Sequence, residues 1–68
     1  MNNRYYMLDF GATGTIGPVS KRDAAAIQCG KYTSEARAHR DLLRNEWPSR
    51  FALLDRLTWT LIRRDDLK

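Results

Sequence analysis

The 68-residue chain has one cysteine, one histidine and no long apolar run, and each scarcity excludes a class of protein. A single cysteine cannot form an internal disulfide, whereas a small secreted domain usually carries several. One cysteine and one histidine also fall short of the ligands of a structural zinc site. No apolar run approaches the roughly 20 residues that span a bilayer, and the N-terminus lacks the apolar core of a signal peptide. We therefore expect a cytoplasmic protein that binds neither metal nor membrane.

Length and charge limit the fold and the partner. Sixty-eight residues make one small domain, spanning 1–68, and 43% of them are hydrophobic, which is enough for a folded core. A core of this size supplies roughly 3–5 kcal/mol of stability and leaves little room for a deep catalytic pocket. Twelve basic residues against eight acidic ones give a net charge of +4 and a pI near 9.7. This balance favours an anionic partner, either nucleic acid or an acidic protein surface.

The N-terminal part predicts a β-hairpin. Residues 4–10, RYYMLDF, have the aromatic and large apolar side chains of a strand, with odd- and even-numbered residues on opposite faces. Residues 15–19 predict a short second strand, which Pro18 restricts to an edge or ends. The glycine-rich stretch between them then forms the hairpin loop.

Two helices are predicted to follow the hairpin. Ser20 is a strong N-cap for a helix over 21–29, and Asp23 is placed to reach back as in a capping box. Gly30 is the natural residue to end that helix.

Thr33 or Ser34 caps the second predicted helix, which runs to about Glu46 and ends before Pro48. At 100° per residue this helix is amphipathic. Its predicted inner side consists of Ala36, His39, Leu42 and Leu43. Its predicted outer side consists of Arg37, Arg40 and Arg44.

Residues 49–64 fit two interpretations. Residues 57–62, LTWTLI, have the β-branched and aromatic character of a strand, with Leu57, Trp59 and Leu61 facing the core. A helical stripe through Phe51 and Leu54 also fits part of the segment. We favour a helical turn at 49–55 followed by a strand.

Residues 11–17, GATGTIG, resemble the glycine-rich turn of NAD(P)-binding Rossmann proteins. That fingerprint also needs a helix that opens within the glycines and an acidic residue about 20 positions further on. Pro18 and the Ser20 cap delay the helix until after the glycines, and about 20 residues on from the glycines the sequence has Arg37, within a predicted helix. We therefore expect a hairpin loop and no dinucleotide or other cofactor.

A second resemblance joins Tyr5-Tyr6, the run Gly17-Pro18-Val19-Ser20 and Gly30, which together are similar to the opening of GYF-type domains. Those domains bind proline-rich peptides. The similarity covers less than half of the chain, and the tryptophan-containing second half of the family pattern is not present in its usual form. The resemblance implies a hairpin followed by a helix.

Candidate catalytic residues are few. Cys29 and His39 have the chemistry of a thiol nucleophile and its base, but we favour a buried structural cysteine and an inner-face histidine beside Glu35. Trp47 and Trp59 have rings that stack on nucleobases, but we favour packing for both. With no assembled catalytic site, we expect a protein that is not an enzyme.

The basic residues are the strongest candidates for function. The predicted partner-binding residues are Lys21, Arg22, Lys31, Arg37, Arg40 and Arg44, with Tyr5 on the hairpin. In one interpretation, residues 20–46 form a helix-turn-helix whose second helix enters the major groove. In the other, the arginines form the solvated face that any amphipathic helix has opposite its apolar face.

The sequence as a whole predicts a small α+β domain, in which a C-terminal strand adds to the hairpin to complete a three-stranded antiparallel sheet beside two helices. We expect a non-catalytic interaction protein, monomeric or homodimeric. In size and character it resembles accessory proteins of phages and mobile elements, including anti-CRISPR inhibitors, which makes a host protein or nucleoprotein complex the expected partner. The alternative is a small DNA-binding regulator that contacts nucleic acid through the basic helix face.

Overall fold

A computed structural model of the chain describes residues 3–45 and 50–67. These residues form a small α+β domain of two helices and a four-stranded antiparallel sheet, so the predicted fold class is confirmed with one strand more than expected. In chain order the elements are β1 (Tyr5–Asp9), α1 (Lys21–Ile27), β2 (Gln28–Tyr32), α2 (Glu35–Leu43), β3 (Phe51–Asp55) and β4 (Thr60–Ile62), followed by a 3-10 helix at Arg64–Leu67.

The sheet has the order β2-β1-β3-β4, and every neighbouring pair is antiparallel. The two central strands, YYMLD and FALLD, are the most apolar, because a central strand with helices on both faces is shielded from water on both sides. Their register runs without interruption from Tyr5 opposite Asp55 to Asp9 opposite Phe51. The pairing of β1 with β2 contains an irregularity between Met7 and Leu8.

Each face of the sheet packs against one helix. Alternation along β1 and β3 sends neighbouring side chains to opposite faces, so two hydrophobic clusters form. The cluster under α2 consists of Tyr5, Met7, Ala38, Leu42 and Leu53. The cluster under α1 consists of Leu8, Phe10, Ala24, Ala52 and Leu54. The two helices therefore lie on opposite faces of the sheet, with β2 between them in sequence. The expected helix-turn-helix over residues 20–46 is wrong for this reason.

The helix starts are as predicted, and the ends differ. The Ser20 hydroxyl accepts the backbone N–H of Asp23 at 3.1 Å, and the Ser34 hydroxyl accepts that of Arg37 at 3.3 Å. α1 ends at Ile27, two residues early, because pairing with β1 takes residues 28–32 into β2. Gly30 therefore lies in a strand and is not the end of a helix. α2 ends at Leu43, and the predictions for Glu46, Trp47 and Pro48 lie outside the described residues.

The inner face of α2 is rotated from the predicted one. Its buried residues are Ala38 and Leu42, whereas Ala36 is exposed and Leu43 is 39% exposed. The sequence pattern placed both adjacent leucines inside, and only the first of them packs on the sheet.

The predicted N-terminal hairpin is wrong. Residues 15–20 form no strand, and β1 pairs with β2 and β3 instead. The chain turns directly after β1, where the N–H groups of Thr13 and Gly14 donate to the carbonyl of Phe10 at 3.1 and 2.9 Å. Gly14 has φ +88°, which a side chain disfavours. The glycine stretch thus leads from β1 towards α1.

The preferred interpretation of residues 49–55 as a helical turn is also wrong, because residues 51–55 form the central strand β3. Residues 56–59 make the turn of a hairpin that continues into β4. Leu57 is 74% exposed and Trp59 is 37% exposed, so neither faces the core as expected. Leu61 does pack partly against the cluster under α1.

Candidate functional site

Two arginines are neutralised by carboxylates within the fold. Arg4 makes two hydrogen bonds to Asp55, and Arg50 makes two to Asp9, all between 2.8 and 3.0 Å. The hydrogen bonds from Arg4 and from Arg50 are the main reason why the pKa values of Asp55 and Asp9 lie below the ordinary range. Because each charge has its partner inside the chain, these arginines stabilise the fold.

Three further arginines donate to backbone carbonyl oxygens of distant segments. The pairs are Arg56 to Asn3 at 2.9 Å, Arg63 to Ile16 at 3.1 Å and Arg64 to Asn45 at 2.7 Å. The last of these links the 3-10 helix to the end of α2, so it too has a structural role.

The three arginines of α2 differ from all five. Arg37 and Arg40 in α2 and Arg44 at its C-cap are exposed, and within residues 3–45 and 50–67 their side chains form neither an ion pair nor a hydrogen bond. Their spacing of three and four residues places them on one side of the helix. Leu43, 39% exposed, lies next to Arg40 at the edge of this side. We call Arg37, Arg40, Arg44 and Leu43 the arginine face.

The remaining predicted cations do not join the arginine face. Lys21 and Arg22 begin α1, on the opposite side of the sheet, and both are exposed. The ammonium of Lys31, in β2, lies 5.8 Å from the centre of the Tyr6 ring. Tyr6 belongs to the face that α1 covers, so Lys31 also points to that side. The six predicted cations therefore divide into two groups of three.

Tyr5, predicted to bind a partner, is buried in the core. Tyr5 is 3% exposed inside the core, and its hydroxyl lies 3.4 Å from the carboxylate of Glu35. Burial is the main cause that raises the pKa of Tyr5. Tyr6 is half-buried, and the guanidinium of Arg56 lies 4.3 Å from its ring centre. Tyr5 is therefore a core residue, and Tyr6 is the tyrosine near the surface, which alternation alone does not reveal.

An open groove of about 470 Å³ lies between β2 and α2. Its lining includes Cys29 and Tyr32 from β2, Asp41 and Arg44 from α2, and Met7 and Phe51 from the central strands. The hydroxyl of Tyr32 donates to the carboxylate of Asp41 at 2.8 Å. Burial first, and then this hydrogen bond, raise the pKa of Tyr32 to about 12. The groove could not be predicted from the sequence, because β2 was not predicted.

Cys29 and His39 lie in different surroundings. The Cys29 thiol points at the carbonyl of Met7, 3.5 Å away, and burial is the main cause that raises its pKa. The residue as a whole is exposed, so the expected buried cysteine is wrong. His39 packs edge-on against Tyr5, with ring centres 6.3 Å apart, and its Nε2 is 3.9 Å from the Glu35 carboxylate. The histidine thus lies beside Glu35, as expected, and among the described residues no hydrogen bond joins it to the thiol.

The described residues contain neither a cluster of metal ligands nor a membrane-spanning helix. No group of three or more histidine, cysteine or acidic side chains is arranged to hold a metal ion in the described part of the chain. Within the same residues, neither helix has the length and apolar character to cross a membrane.

Comparison with protein-family models, curated proteins and solved structures found no match to this chain. A proposal for its function therefore depends on its own residues and their geometry. The distribution of arginines and the groove beside β2 are the two features that such a proposal can use.

Proposed function

We propose that this chain is a non-catalytic interaction protein that binds an acidic surface of a partner protein through the arginine face of α2. The observation that carries the proposal is the contrast among the arginines. Five of the nine arginines bond to carboxylates or carbonyl oxygens of the fold, whereas the side chains of Arg37, Arg40 and Arg44 form neither a hydrogen bond nor an ion pair within the described residues. The remaining arginine, Arg22, is also without such a bond there, but it lies apart from these three, in α1. Arginine side chains that are not bonded within the fold remain available to bind a partner.

The composition of the arginine face suits a protein interface. From Arg37 to Arg44 the helix rises about 10 Å, which lets all three guanidinium groups contact one partner surface. Arginine is enriched among the residues that dominate binding energy. The exposed Leu43, beside Arg40 at the edge of this side of the helix, supplies apolar area that a partner can cover. Unpaired cations also steer an acidic partner to this surface.

The surroundings of Cys29 and His39 support a binding role over a catalytic one. Raising the pKa of a thiol reduces the fraction of nucleophilic thiolate at neutral pH, and the pKa of Cys29 is raised. His39 packs against Tyr5 on α2, and its nearest acidic atom is in Glu35, so it is not arranged to activate the thiol.

In its narrower form, the proposal is a cytoplasmic inhibitor of the kind that phages and mobile elements use against a host protein or nucleoprotein complex. Its support is the small size, the net charge of +4 and the basic helix. The second candidate is nucleic-acid binding through the same arginines, which the net charge favours. This second candidate uses phosphate contacts by a single helix, because the helix-turn-helix arrangement is not formed.

A pull-down from a host lysate, with and without nuclease, tests the proposal. The tagged chain is compared with Arg40→Gln/Arg44→Gln and with Lys21→Gln/Arg22→Gln, a control that removes the same charge from α1. We expect one protein partner at fixed stoichiometry, resistant to nuclease, that the first variant loses and the control retains. Loss of all bound material after nuclease treatment would instead favour nucleic acid. Equal retention by both variants would show that the arginine face does not carry the binding.

A further inference from the structure

The strand β2 is an edge of the sheet, and among the described residues no backbone group bonds to its outer side. An edge strand presents unpaired N–H and C=O groups, and an added strand can use them. The opposite edge, β4, has three residues against the five of β2. The longer edge is therefore the one that offers more backbone to a partner.

The register identifies Lys31 as the residue whose backbone points outward. The N–H of Phe10 donates to Arg50, and the N–H of Arg56 donates to Arg4, so the even-numbered residues around β1 bond towards β3. Lys31 lies opposite Tyr6, one of these even-numbered residues. When two residues lie opposite one another in an antiparallel pair, the N–H and C=O groups of both point towards the partner strand, or those of both point away from it. The N–H and C=O of Lys31 are thus directed away from β1.

Cations flank this edge on both faces of the sheet. The ammonium of Lys31 lies on the face that α1 covers, beside Tyr6. On the other face Arg44 lines the groove, and α2, which carries Arg37, packs on the same face. The carboxylate of Asp41 in the groove already accepts the hydrogen bond of Tyr32. Side chains of an added strand would alternate between these two basic surroundings.

We propose that an extended, acidic segment of the partner adds to the sheet as a fifth strand along β2. Its backbone bonds to Lys31, and alternate side chains lie in the groove between β2 and α2. The groove is open to solvent and has a volume of about 470 Å³, with Met7 and Phe51 lining it beside Cys29 of β2 and Arg44. Backbone pairing supplies affinity in this mode of recognition, and the pockets beside the strand supply specificity. This inference rests on the proposed function, because it describes how the same acidic partner is held.

Charge selects a partner segment over a second copy of the chain. Pairing two β2 strands would bring together two copies of Lys31, Arg37 and Arg44, each on a chain with net charge +4. Like charges brought together across an interface are repulsive. Glutamate or aspartate on an added strand instead meets the cations on both faces.

The experiment uses the full chain and a displayed library of random ten-residue linear peptides. We expect the enriched peptides to be rich in aspartate and glutamate. In the free protein the Lys31 amide should exchange rapidly with solvent, and an enriched synthetic peptide should slow that exchange, because the outward N–H becomes hydrogen-bonded. Failure to enrich acidic peptides, or unchanged exchange at Lys31 in the complex, would overturn the proposal. Peptide-induced or spontaneous dimerisation through β2 would overturn it as well.

A pair of variants isolates the backbone contact. Lys31→Pro removes the outward N–H without removing a bond to β1, and proline is tolerated at such edge positions. Lys31→Thr removes the same charge and keeps the N–H. We expect Lys31→Pro to bind the peptide about two- to tenfold more weakly than Lys31→Thr, as loss of one backbone hydrogen bond implies. Equal affinities of the two variants would contradict strand addition.

Methylation of alternate backbone nitrogens of the peptide provides the test if Lys31→Pro does not fold. One of the two alternating methylation patterns should abolish binding and the other should not, because only every second N–H of an added strand faces β2. Equal effects of the two patterns would contradict strand addition. The variant Arg40→Gln/Arg44→Gln separates the two proposals. If it loses partner binding while Lys31→Pro and Lys31→Thr bind alike, the arginine face stands and strand addition fails.

Discussion

The guanidinium of Arg4 holds the carboxylate of Asp55 with two hydrogen bonds of 3.0 and 2.9 Å, across 51 residues of sequence. Asp55 is 8% exposed and also accepts the N–H of Leu57 at 3.0 Å. Arg4 therefore fixes β1 to the point where β3 enters its hairpin turn. We expect Asp55→Asn to lower the midpoint of thermal unfolding by several degrees, because the variant replaces charged hydrogen bonds with weaker ones.

The same pair predicts a dependence of stability on pH. The folded-state pKa of Asp55 is lowered, first by the hydrogen bonds of Arg4. The contribution of Asp55 to the free energy of unfolding is therefore complete above the unfolded-state pKa of about 3.9. It is lost as the pH falls through the lower folded-state pKa. Chemical unfolding from pH 7 to pH 2 should show a steeper acid loss for the wild type than for Asp55→Asn. The exposed carboxylate of Asp23 supplies the control, since Asp23→Asn should keep the steep loss. Parallel curves for wild type and Asp55→Asn would contradict the assignment.

Two adjacent leucines of α2 provide a test of its orientation. Leu42 is 1% exposed and Leu43 is 39% exposed. Leu42→Ala should cost about 2–5 kcal/mol of unfolding free energy by opening a cavity, and Leu43→Ala should cost clearly less. Urea unfolding of both variants measures the difference. A more destabilised Leu43→Ala would mean that the helix is turned by one residue.

The arginine face should contribute little to folding. Substitutions of exposed residues outside special features usually change stability by no more than about 0.5 kcal/mol. The variant Arg37→Gln/Arg40→Gln/Arg44→Gln should therefore melt close to the wild type. Arg4→Gln is the matched comparison, since it removes a single arginine that is paired, and we expect a larger drop in its melting temperature. An unfolded triple variant would show that these arginines have structural partners.

Tyr32 should ionise late in an alkaline titration. Its pKa is raised to about 12, mainly by burial and then by the hydrogen bond to Asp41. The neutral hydroxyl thus contributes stability that is present below the unfolded pKa of about 10 and is lost as the pH rises towards 12. Tyrosine absorbance near 295 nm follows the titration, and Tyr32→Phe should reduce the late component, leaving the share of Tyr5, whose pKa burial also raises. In Asp41→Asn the late component should move to lower pH.

Cys29 should react with thiol reagents completely in the folded protein, but more slowly than free cysteine at the same pH. The residue is exposed, which allows access, and its pKa is raised, which reduces the thiolate. Labelling rates measured from pH 7 to pH 10 should rise to a plateau at a higher pH than for free cysteine. A rate equal to that of free cysteine at neutral pH would contradict the raised pKa.

Local signals in the sequence predicted local structure, and the errors concern pairing between distant segments. Ser20 and Ser34 mark the helix starts because a cap depends on a few neighbouring residues. The run Phe51–Asp55 shows no alternation, because three of its five residues are apolar core residues and neighbouring ones pack against opposite faces of the sheet. A short apolar run of this kind does not distinguish a strand from a helix. Residues 57–62 alternate as a strand does, yet residues 57–59 belong to the hairpin turn and residues 60–62 form β4.

The candidate site, too, could be predicted from the sequence only where it depends on local structure. Exposure of Arg37, Arg40 and Arg44 could be predicted from the helical repeat, since it depends only on α2. The groove and the sheet edge at Lys31 could not be predicted. Both exist only because the helix α1 ends before Gln28 and the following residues pair with β1. Burial of Tyr5 depends likewise on α2 lying across β1.

The central position of β1 has a consequence for synthesis on the ribosome. The first strand to emerge bonds on one side to β3, whose residues are made about forty to fifty positions later, as the contacts of Arg4 with Asp55 and Asp9 with Arg50 illustrate. Until β3 has left the exit tunnel, the apolar side chains of β1 have neither their full sheet nor the complete cluster under α2. Folding of this domain therefore waits on the synthesis of β3, and until then β1 is exposed to chaperones and to misassociation.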